Sequence, residues 1–424
     1  MAILSNRRVG KKGALLKIFR KYNLFPIFLT YFLDNFGLAI IYPIFTPLFF
    51  QNEGLFFEAS TTYLQKTILL GLLIGSFPLA QFFGAPLIGQ FSDRVGRKKA
   101  FYITILGTAF GYTITAFSIL ENSLGLLFAS RVLTGLCAGN LTICLAAIAD
   151  QSVDQKTRTK NFGSIAAIGG VSFVLAILSG GILSDPKHHP LFDPSFPFWL
   201  TAALSYINFF IMLFLFEETH PKQPEGVLNA FQGVKLLFLA VRSSHVSALY
   251  FVNFLFMLSW VATMQFFPIT MFKRFHLSVE KLTICLAGVG LIWSFANLLI
   301  NRYLCKRYYP GKTLLICLSI QSVCLFALSL PLSSSVFLLL FYPAAFCAAL
   351  NWTNAVATVS LKAPSDMQGS ILGVNQSMTS VAAMLGPALG GIIVGWSEHW
   401  IFIMTGLFSL LAFVFLFINK LYRK

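Results

Sequence analysis

Apolar runs of eighteen or more residues recur along almost the whole chain, broken by short polar segments. An α-helix rises about 1.5 Å per residue and the hydrocarbon core of a bilayer is about 30 Å thick, so each such run predicts a membrane-spanning helix. Spans are expected at roughly 24–49, 66–90, 99–119, 123–148, 161–183, 197–216, 246–269, 281–301, 312–331, 334–358, 369–394 and 399–419. The longest polar break, Glu217 to His245, holds Glu218, His220, Pro221, Lys222, Pro224, Glu225 and Gly226, then an apolar stretch, Val234 to Val241, that reads as an interfacial helix. That break predicts an all-α integral membrane protein, twelve transmembrane helices in two pseudo-symmetric six-helix bundles. Its parts are a basic cytoplasmic tail (1–23), an N-terminal bundle (24–216), a cytoplasmic linker (217–245), a C-terminal bundle (246–419) and a second cytoplasmic tail (420–424).

Composition agrees. The 424 residues are 57% hydrophobic and 11% charged, with a mean hydropathy of +0.76, whereas a soluble domain carries about 25% charged residues. A net charge of +16 could suggest nucleic acid, but the basic side chains sit mainly in the N-terminal tail and the even-numbered loops. This is the positive-inside pattern with both termini cytoplasmic, and it makes the lipid bilayer rather than nucleic acid the partner. The tail alone contributes Arg7, Arg8, Lys11, Lys12, Lys17, Arg20 and Lys21. A basic tail before an apolar run also describes a signal peptide, yet the run from Leu24 to Phe50 is too long, contains Asp34 and lacks a small-residue cleavage site. It reads as an uncleaved first helix. Cys137, Cys144, Cys285, Cys305, Cys317, Cys324 and Cys347 form no Cys-x-x-Cys or Cys/His cluster, and the six histidines lie in loops or at helix ends. No disulfide framework, metal site or cofactor is expected.

Two ionisable residues stand deep inside spans: Asp34 in the first and Arg131 in the fourth. A charge at the centre of a transmembrane helix costs about 2.5–3.5 kcal/mol on insertion scales, which makes function the default reading of both. Tyr31, Asp34, Asn35, Leu38 and Tyr42 share one helical face. Arg131 is followed by Thr134, Gly135, Ala138 and Gly139, a small-residue face suited to close helix contact. Desolvation favours the neutral form of a carboxyl and a nearby guanidinium the ionised form, so opening a cavity to water on one side or the other changes its protonation. The expectation is a proton switch in which protonation of Asp34 alternates with substrate binding and Arg131 responds to the carboxylate's charge.

Between the second and third spans runs Gly89-Gln-Phe-Ser-Asp93-Arg94-Val-Gly96-Arg97-Lys98-Lys99. Glycines there permit a tight turn, and Asp93 could meet arginines and a helix N-terminus to latch the two halves on the cytoplasmic side. An internal repeat supports the two-bundle reading: Gly386-Pro387-Ala388-Leu389-Gly390-Gly391 in the eleventh span has an echo in Ala176-Ile177-Leu178-Ser179-Gly180-Gly181 of the fifth. Equivalent helices in parallel repeats place a substrate site near the midplane between the halves.

These residues carry a resemblance. The Gly89–Lys99 run is similar to the signature loop of the major facilitator superfamily. Leu33-Asp34-Asn35-Phe36-Gly37 through Tyr42-Pro43, Gln81-Phe-Phe-Gly-Ala85-Pro86, Ser130-Arg131-Val-Leu-Thr-Gly135 through Asp150, and Gln368-Gly369 through Gly386-Pro387 resemble its drug/proton antiporter family, in particular the tetracycline-antiporter branch. The resemblance implies the major facilitator fold and a monomeric, proton-gradient-driven transporter of a small molecule in the bacterial cytoplasmic membrane, with efflux of drugs or metabolites as the activity and no enzymatic chemistry. Helix five departs from the family pattern, because Ala176-Ile177 stands where these antiporters carry Gly-Pro. Proton-coupled import of a nutrient, metabolite or siderophore-like compound therefore stands beside export.

The candidate cavity residues are Tyr31, Asn35, Gln81, Asn140, Asn253, Trp260, Gln265, Asn351, Asn354, Asn375 and Gln376. For each, an interhelical hydrogen bond is the competing reading. An ATP-driven pump finds no support: Gly311-Lys312-Thr313 would need a glycine where Lys306 stands. A receptor that lost transport would have no use for intact Asp34, Arg131 and Asp93.

Overall fold

A computed structural model describes residues 24–50, 56–57, 60–151, 155–219, 247–362 and 368–422. The tail 1–23 and the interfacial stretch 234–241 lie outside the described residues. The helices are α1 (Leu24–Phe50), α2 (Tyr63–Val95), α3 (Arg97–Leu120), α4 (Leu124–Ile148), α5 (Gln155–Leu183), α6 (Phe196–Leu215), α7 (Ser247–Phe275), α8 (Val279–Arg307), α9 (Pro310–Leu328), α10 (Ser334–Lys362), α11 (Gln368–Trp396) and α12 (Glu398–Ile418). Eleven are long and apolar enough to cross a membrane, and the described apolar part of α5 is Ile168–Leu183. No strand occurs among the described residues.

Local chemistry sets the helix ends. Thr62 and Gln65 open α2 with reciprocal bonds, Thr62 N–H to Gln65 Oε1 at 2.8 Å and Gln65 N–H to Thr62 Oγ1 at 3.3 Å, satisfying two of the free amides at a helix start. Ser123 and Ser278 accept from Leu126 and Lys281 at the starts of α4 and α8. Large apolar side chains point both ways, as lipid requires. Phe266, Phe267, Phe337, Phe341 and Phe402 are buried, with the Phe267 and Phe341 rings 4.1 Å apart, while Phe214 is 77% exposed.

Three features differ from the pattern-based expectation. The stretch from Gly89 to Lys99 is not an extended loop: α2 continues to Val95, α3 begins at Arg97, and only Gly96 separates them. Gly96 has φ +96°, a backbone conformation that side chains with a Cβ rarely adopt, so one glycine makes the whole turn. In α4 the helical pattern lapses at Ala138 and Gly139 between Leu124–Cys137 and Asn140–Gln151. In α8, Ala296–Asn301 forms a π-helical turn. Hydropathy is blind to both, since neither changes the apolar count.

The glycine repeat marks where the halves meet. The end of the bundle carrying Phe50, Tyr63 and Phe275 is called the far end, and the opposite one, carrying Gly96, the loop end. On α11, Gly391 lies against the backbone of Thr67 and Ile68 on α2, and Gly71 of α2 against the Pro387 carbonyl. On α5, Gly181 faces Thr283 of α8 and Gly180 faces Ile40 and Pro43 of α1. Gly390 packs on Phe266 and Gly386 on Ala262, both of α7. The fifth helix of each half thus crosses to the second helix of the other, α5 to α8 and α11 to α2. Close backbone approach of this kind is how helices associate where no hydrophobic effect drives them together. A hollow of about 420 Å³ at the far end is lined by Phe50, Tyr63, Ile269, Phe272, Lys273, His276 and Leu277. There the Lys273 ammonium sits 3.5 Å from the centre of the Tyr63 ring.

Candidate functional site

The break in α4 builds the site. A helix that lapses for two residues leaves carbonyls without their usual partners. The Ala138 carbonyl is taken by Gln81 Nε2 of α2 at 2.9 Å, and Gly139 packs on Ile88. Past the break, buried Asn140 turns its carboxamide inward: Oδ1 accepts the Thr104 hydroxyl of α3, so Nδ2 is left to donate, and it donates to Asp34 Oδ1 at 3.0 Å. Asp34 on α1 is half-buried as a residue, and the position of its carboxylate is set from α3 through α4. Gln81 and Asn140, expected to line the cavity, instead support the break and hold the acid. Asn35 donates to the Tyr31 carbonyl within α1 at 2.9 Å, and Tyr31 lies against Gly169 of α5.

Arg131 is elsewhere. It is 0% exposed, its guanidinium lies 4.8 Å from the Phe77 ring centre and 5.9 Å from that of Phe45, and its three side-chain nitrogens have no hydrogen-bond partner among the described residues. Asp34 and Arg131 form no ion pair: the acid is held by Asn140, and the guanidinium nitrogens bond to no oxygen among the described residues. Cation–π contact with two desolvated rings is worth about 2 kcal/mol or more, and it is what this cation has in place of an anion.

At the loop end, Arg97 gathers the turn. Its guanidinium meets Asp93 at 2.5 Å, Ser92 Oγ at 2.6 Å and Asp150 of α4 at 3.1 Å. Its backbone N–H and that of Lys98 donate to the two oxygens of Glu218, just past α6, at 2.8 and 3.1 Å. The Glu218 carboxylate occupies the space a Cβ on Gly96 would need. The expected latch therefore takes a different form. Asp93, 60% exposed at its side chain, bonds within its own turn, while Glu218, a residue sequence reasoning missed, takes the α3 N-terminus where free amides and the helix dipole favour an anion. The bonds observed tie α2, α3, α4 and α6 of one half rather than the two halves. Gly89 makes ordinary contact with Thr142, and Arg94 and Lys98 are half-exposed.

In the second half the buried asparagines are pins between helices. Asn253 donates to Asn375 at 3.0 Å and to Thr379 at 3.3 Å, joining α7 to α11. Asn351 donates to Gln321 of α9 at 2.8 Å, and Asn354 to Asn301 in the π-turn of α8 at 2.8 Å. Gln265 is buried on α7 and Gln376 is exposed. Trp260 is buried, with its ring 5.8 Å from that of Trp293, which in turn lies 6.4 Å from Trp352, a side chain 42% exposed. Polar groups thus gather on α1 and α4 of the first half, and a run of indoles on α7, α8 and α10 of the second.

The model of the Major Facilitator Superfamily matches residues 27–384 and, in a second match, 249–424. The class H tetracycline resistance protein of Pasteurella multocida is 26% identical over 88% of this chain and 90% of that protein. Multidrug resistance protein 2 of Bacillus subtilis (strain 168) is 21% identical over 80% of this chain and 82% of that one. Among solved structures, a bacterial homolog of the human lysosomal transporter Spinster, inward-facing and unoccupied, aligns with a TM-score of 0.75 at 16% identity over 95% of this chain and 98% of that one. A D-xylose–proton symporter aligns with a TM-score of 0.75 at 15% identity, covering 93% and 96%.

Proposed function

The chain belongs to the major facilitator superfamily, a family of secondary transporters rather than enzymes, and from that premise we propose that it exports a small organic compound in exchange for protons. The observation that carries the proposal is Asp34. It is the acidic residue placed deep in a span, half-buried, oriented by Asn140 and without an arginine partner in the described geometry. Such a carboxylate can hold either a proton or a solute's polar group, and alternation between the two is what couples their fluxes. The halves meet along α2 and α11, and along α5 and α8 from the far end to Gly170 and Ser294, beside Tyr31, which suits an arrangement where Asp34 is reached from the loop end. Rocking of the bundles 24–216 and 246–419 would then expose it to the far side. Relatives named for tetracycline and multidrug resistance support efflux as the direction and aromatic organic compounds as the cargo. We place the protein in the bacterial cytoplasmic membrane with both termini inside, acting as a monomer driven by the proton gradient alone.

The second reading is import by symport, favoured by Ala176-Ile177 where the antiporters carry Gly-Pro. Acid-loaded everted vesicles separate the two. Adding tetracycline or ethidium outside releases lumenal protons through an antiporter and not through a symporter. Asp34→Asn is expected to abolish that release. Full release by this variant, with wild-type pH dependence, refutes the coupling assignment.

A further inference from the structure

Asp34 and Arg131 do not touch, and helix geometry shows how far apart they lie along the bundle. Asn140, which holds Asp34, follows Arg131 by nine residues on α4, and Tyr42, a nearest polar neighbour of Arg131, follows Asp34 by eight on α1. At 1.5 Å per residue the two counts set the backbone level of Arg131 about 12–14 Å towards the far end from that of Asp34. Direct coupling across that gap needs an intermediary.

We propose that Tyr112 is the positioning residue linking Asp34 to Arg131, its phenol seated in a notch of α1 that Gly37 leaves open. The inference rests on the reading of Asp34 as the proton carrier. Tyr112 begins at the level of the arginine: the preceding Gly111 lies against Ser130 and Thr134, the residues flanking Arg131's turn, and Thr115 donates to Ser130 Oγ at 2.9 Å. It ends at the level of the acid. A Cβ on Gly37, one turn beyond Asp34, would fall on the Tyr112 hydroxyl and ring, so no other residue at 37 admits the phenol in this position. Tyr112 is buried and in electrostatic reach of both Asp34 and Arg131.

The other titratable groups near the pair do not span it. Tyr31, within reach of Asp34, lies against Gly169 of α5, and Tyr42, within reach of Arg131, has its ring 6.1 Å from Phe173 of α5, so each meets one member of the pair. On α4, Cys144 donates to the Ile27 carbonyl and Cys137 lies against Gly107 of α3, while α2 offers Arg131 the Phe77 ring. A hydroxyl that points its proton at an ionised Asp34 and rotates when Asp34 takes a proton reverses the dipole that the fixed phenol presents to the unpartnered guanidinium. The charge of one site is thereby felt at the other without either moving.

The test uses Tyr112→Phe, which keeps the ring in its notch and removes only the hydroxyl, beside Gly37→Ala, which closes the notch, and Asp34→Asn. Two readouts are taken on the full chain: the pH midpoint for modification of Asp34 by dicyclohexylcarbodiimide, followed by mass spectrometry, and proton release on adding tetracycline to everted vesicles. The expected result for Tyr112→Phe is a midpoint displaced by about one pH unit, a tenfold change in the protonation equilibrium, with proton release altered in its pH profile and the protein fully folded. Gly37→Ala should reproduce the displacement. A side chain that only fills space leaves Tyr112→Phe equal to wild type in both readouts, and that result overturns the proposal. If Asp34→Asn itself releases protons normally, it is the proton-carrier reading that fails; if Asp34→Asn is silent and Tyr112→Phe is wild type, the link alone fails.

Discussion

Replacing Gly391 by alanine should shift the transporter away from the far-end-closed state. The added Cβ would lie 2.6 Å from the Thr67 carbonyl oxygen and 3.2 Å from Ile68 Cα, where heavy atoms prefer roughly 3.5–4.0 Å. Both obstacles are backbone, and Gly71 on the same helix is already against Pro387, so no side chain can swing away. The helices must part by roughly 1 Å, and overpacking of this kind costs about 1–3 kcal/mol. The contact joins the two halves at the far end only, so the penalty falls on the closed form and not on a form in which α2 and α11 have separated there. At about 1.4 kcal/mol per tenfold, the open population should rise between several-fold and a hundredfold. Pulsed electron resonance between spin labels on Thr61→Cys and Trp396→Cys, with exposed Cys305 replaced by serine, reads the far-end distance directly. A distance distribution identical to that of the parent protein, at unchanged thermal stability, would refute the reasoning.

Glu218→Ala removes two bonds to the start of α3 and should cost about 1 kcal/mol, seen as a lower unfolding temperature in detergent; an unchanged melting curve counts against the cap. Arg97→Lys supplies a point charge where a planar fork holds Ser92, Asp93 and Asp150 together, so transport is expected to slow several-fold while binding of the probe measured by fluorescence stays constant. Asn351→Leu strands the Gln321 amide oxygen and should destabilise by about 0.6–2 kcal/mol, with no change in the affinity for tetracycline. A weakened affinity there would return Asn351 to the cavity.

The twelve spans were legible because hydrocarbon imposes one length and one polarity on every crossing, and the chain obeys it at α1 as at α12. The glycine repeat was legible for the same kind of reason: Gly391 and Gly181 leave a gap only another helix can fill. What the pattern of apolar and polar positions could not show is which polar side chains face each other. Asn253, Asn351 and Asn354 look alike in sequence to Asn140, yet three join helices of the second half and one holds Asp34. The difference lies in the rotation of each helix about its axis, set by packing across the bundle. Glu218 was hidden for another reason. It lies over a hundred positions from the turn it caps, and nothing local marks an exposed glutamate after α6 as the partner of Gly96.

If Asp34 carries the proton as proposed, the position of Arg131 bears on how a single acid in a span drives a cycle. A fully buried guanidinium without hydrogen bonds loses several kcal/mol of hydration, and two phenylalanine rings return only part of it. The state described here therefore holds a stored electrostatic cost at the far-end side of the first half. Any state that brings an anion, or the negative end of a phenol dipole, to Arg131 lowers that cost, and on the proposal above the protonation of Asp34 sets how the Tyr112 hydroxyl points. Among the described residues of the second half no basic side chain is buried in this way, and the amides of Asn253, Asn351 and Asn354 each donate to a neighbouring helix. On the proposal that Asp34 carries the proton, the electrostatic work of the cycle falls to α1, α3 and α4, where Asp34, Tyr112 and Arg131 lie.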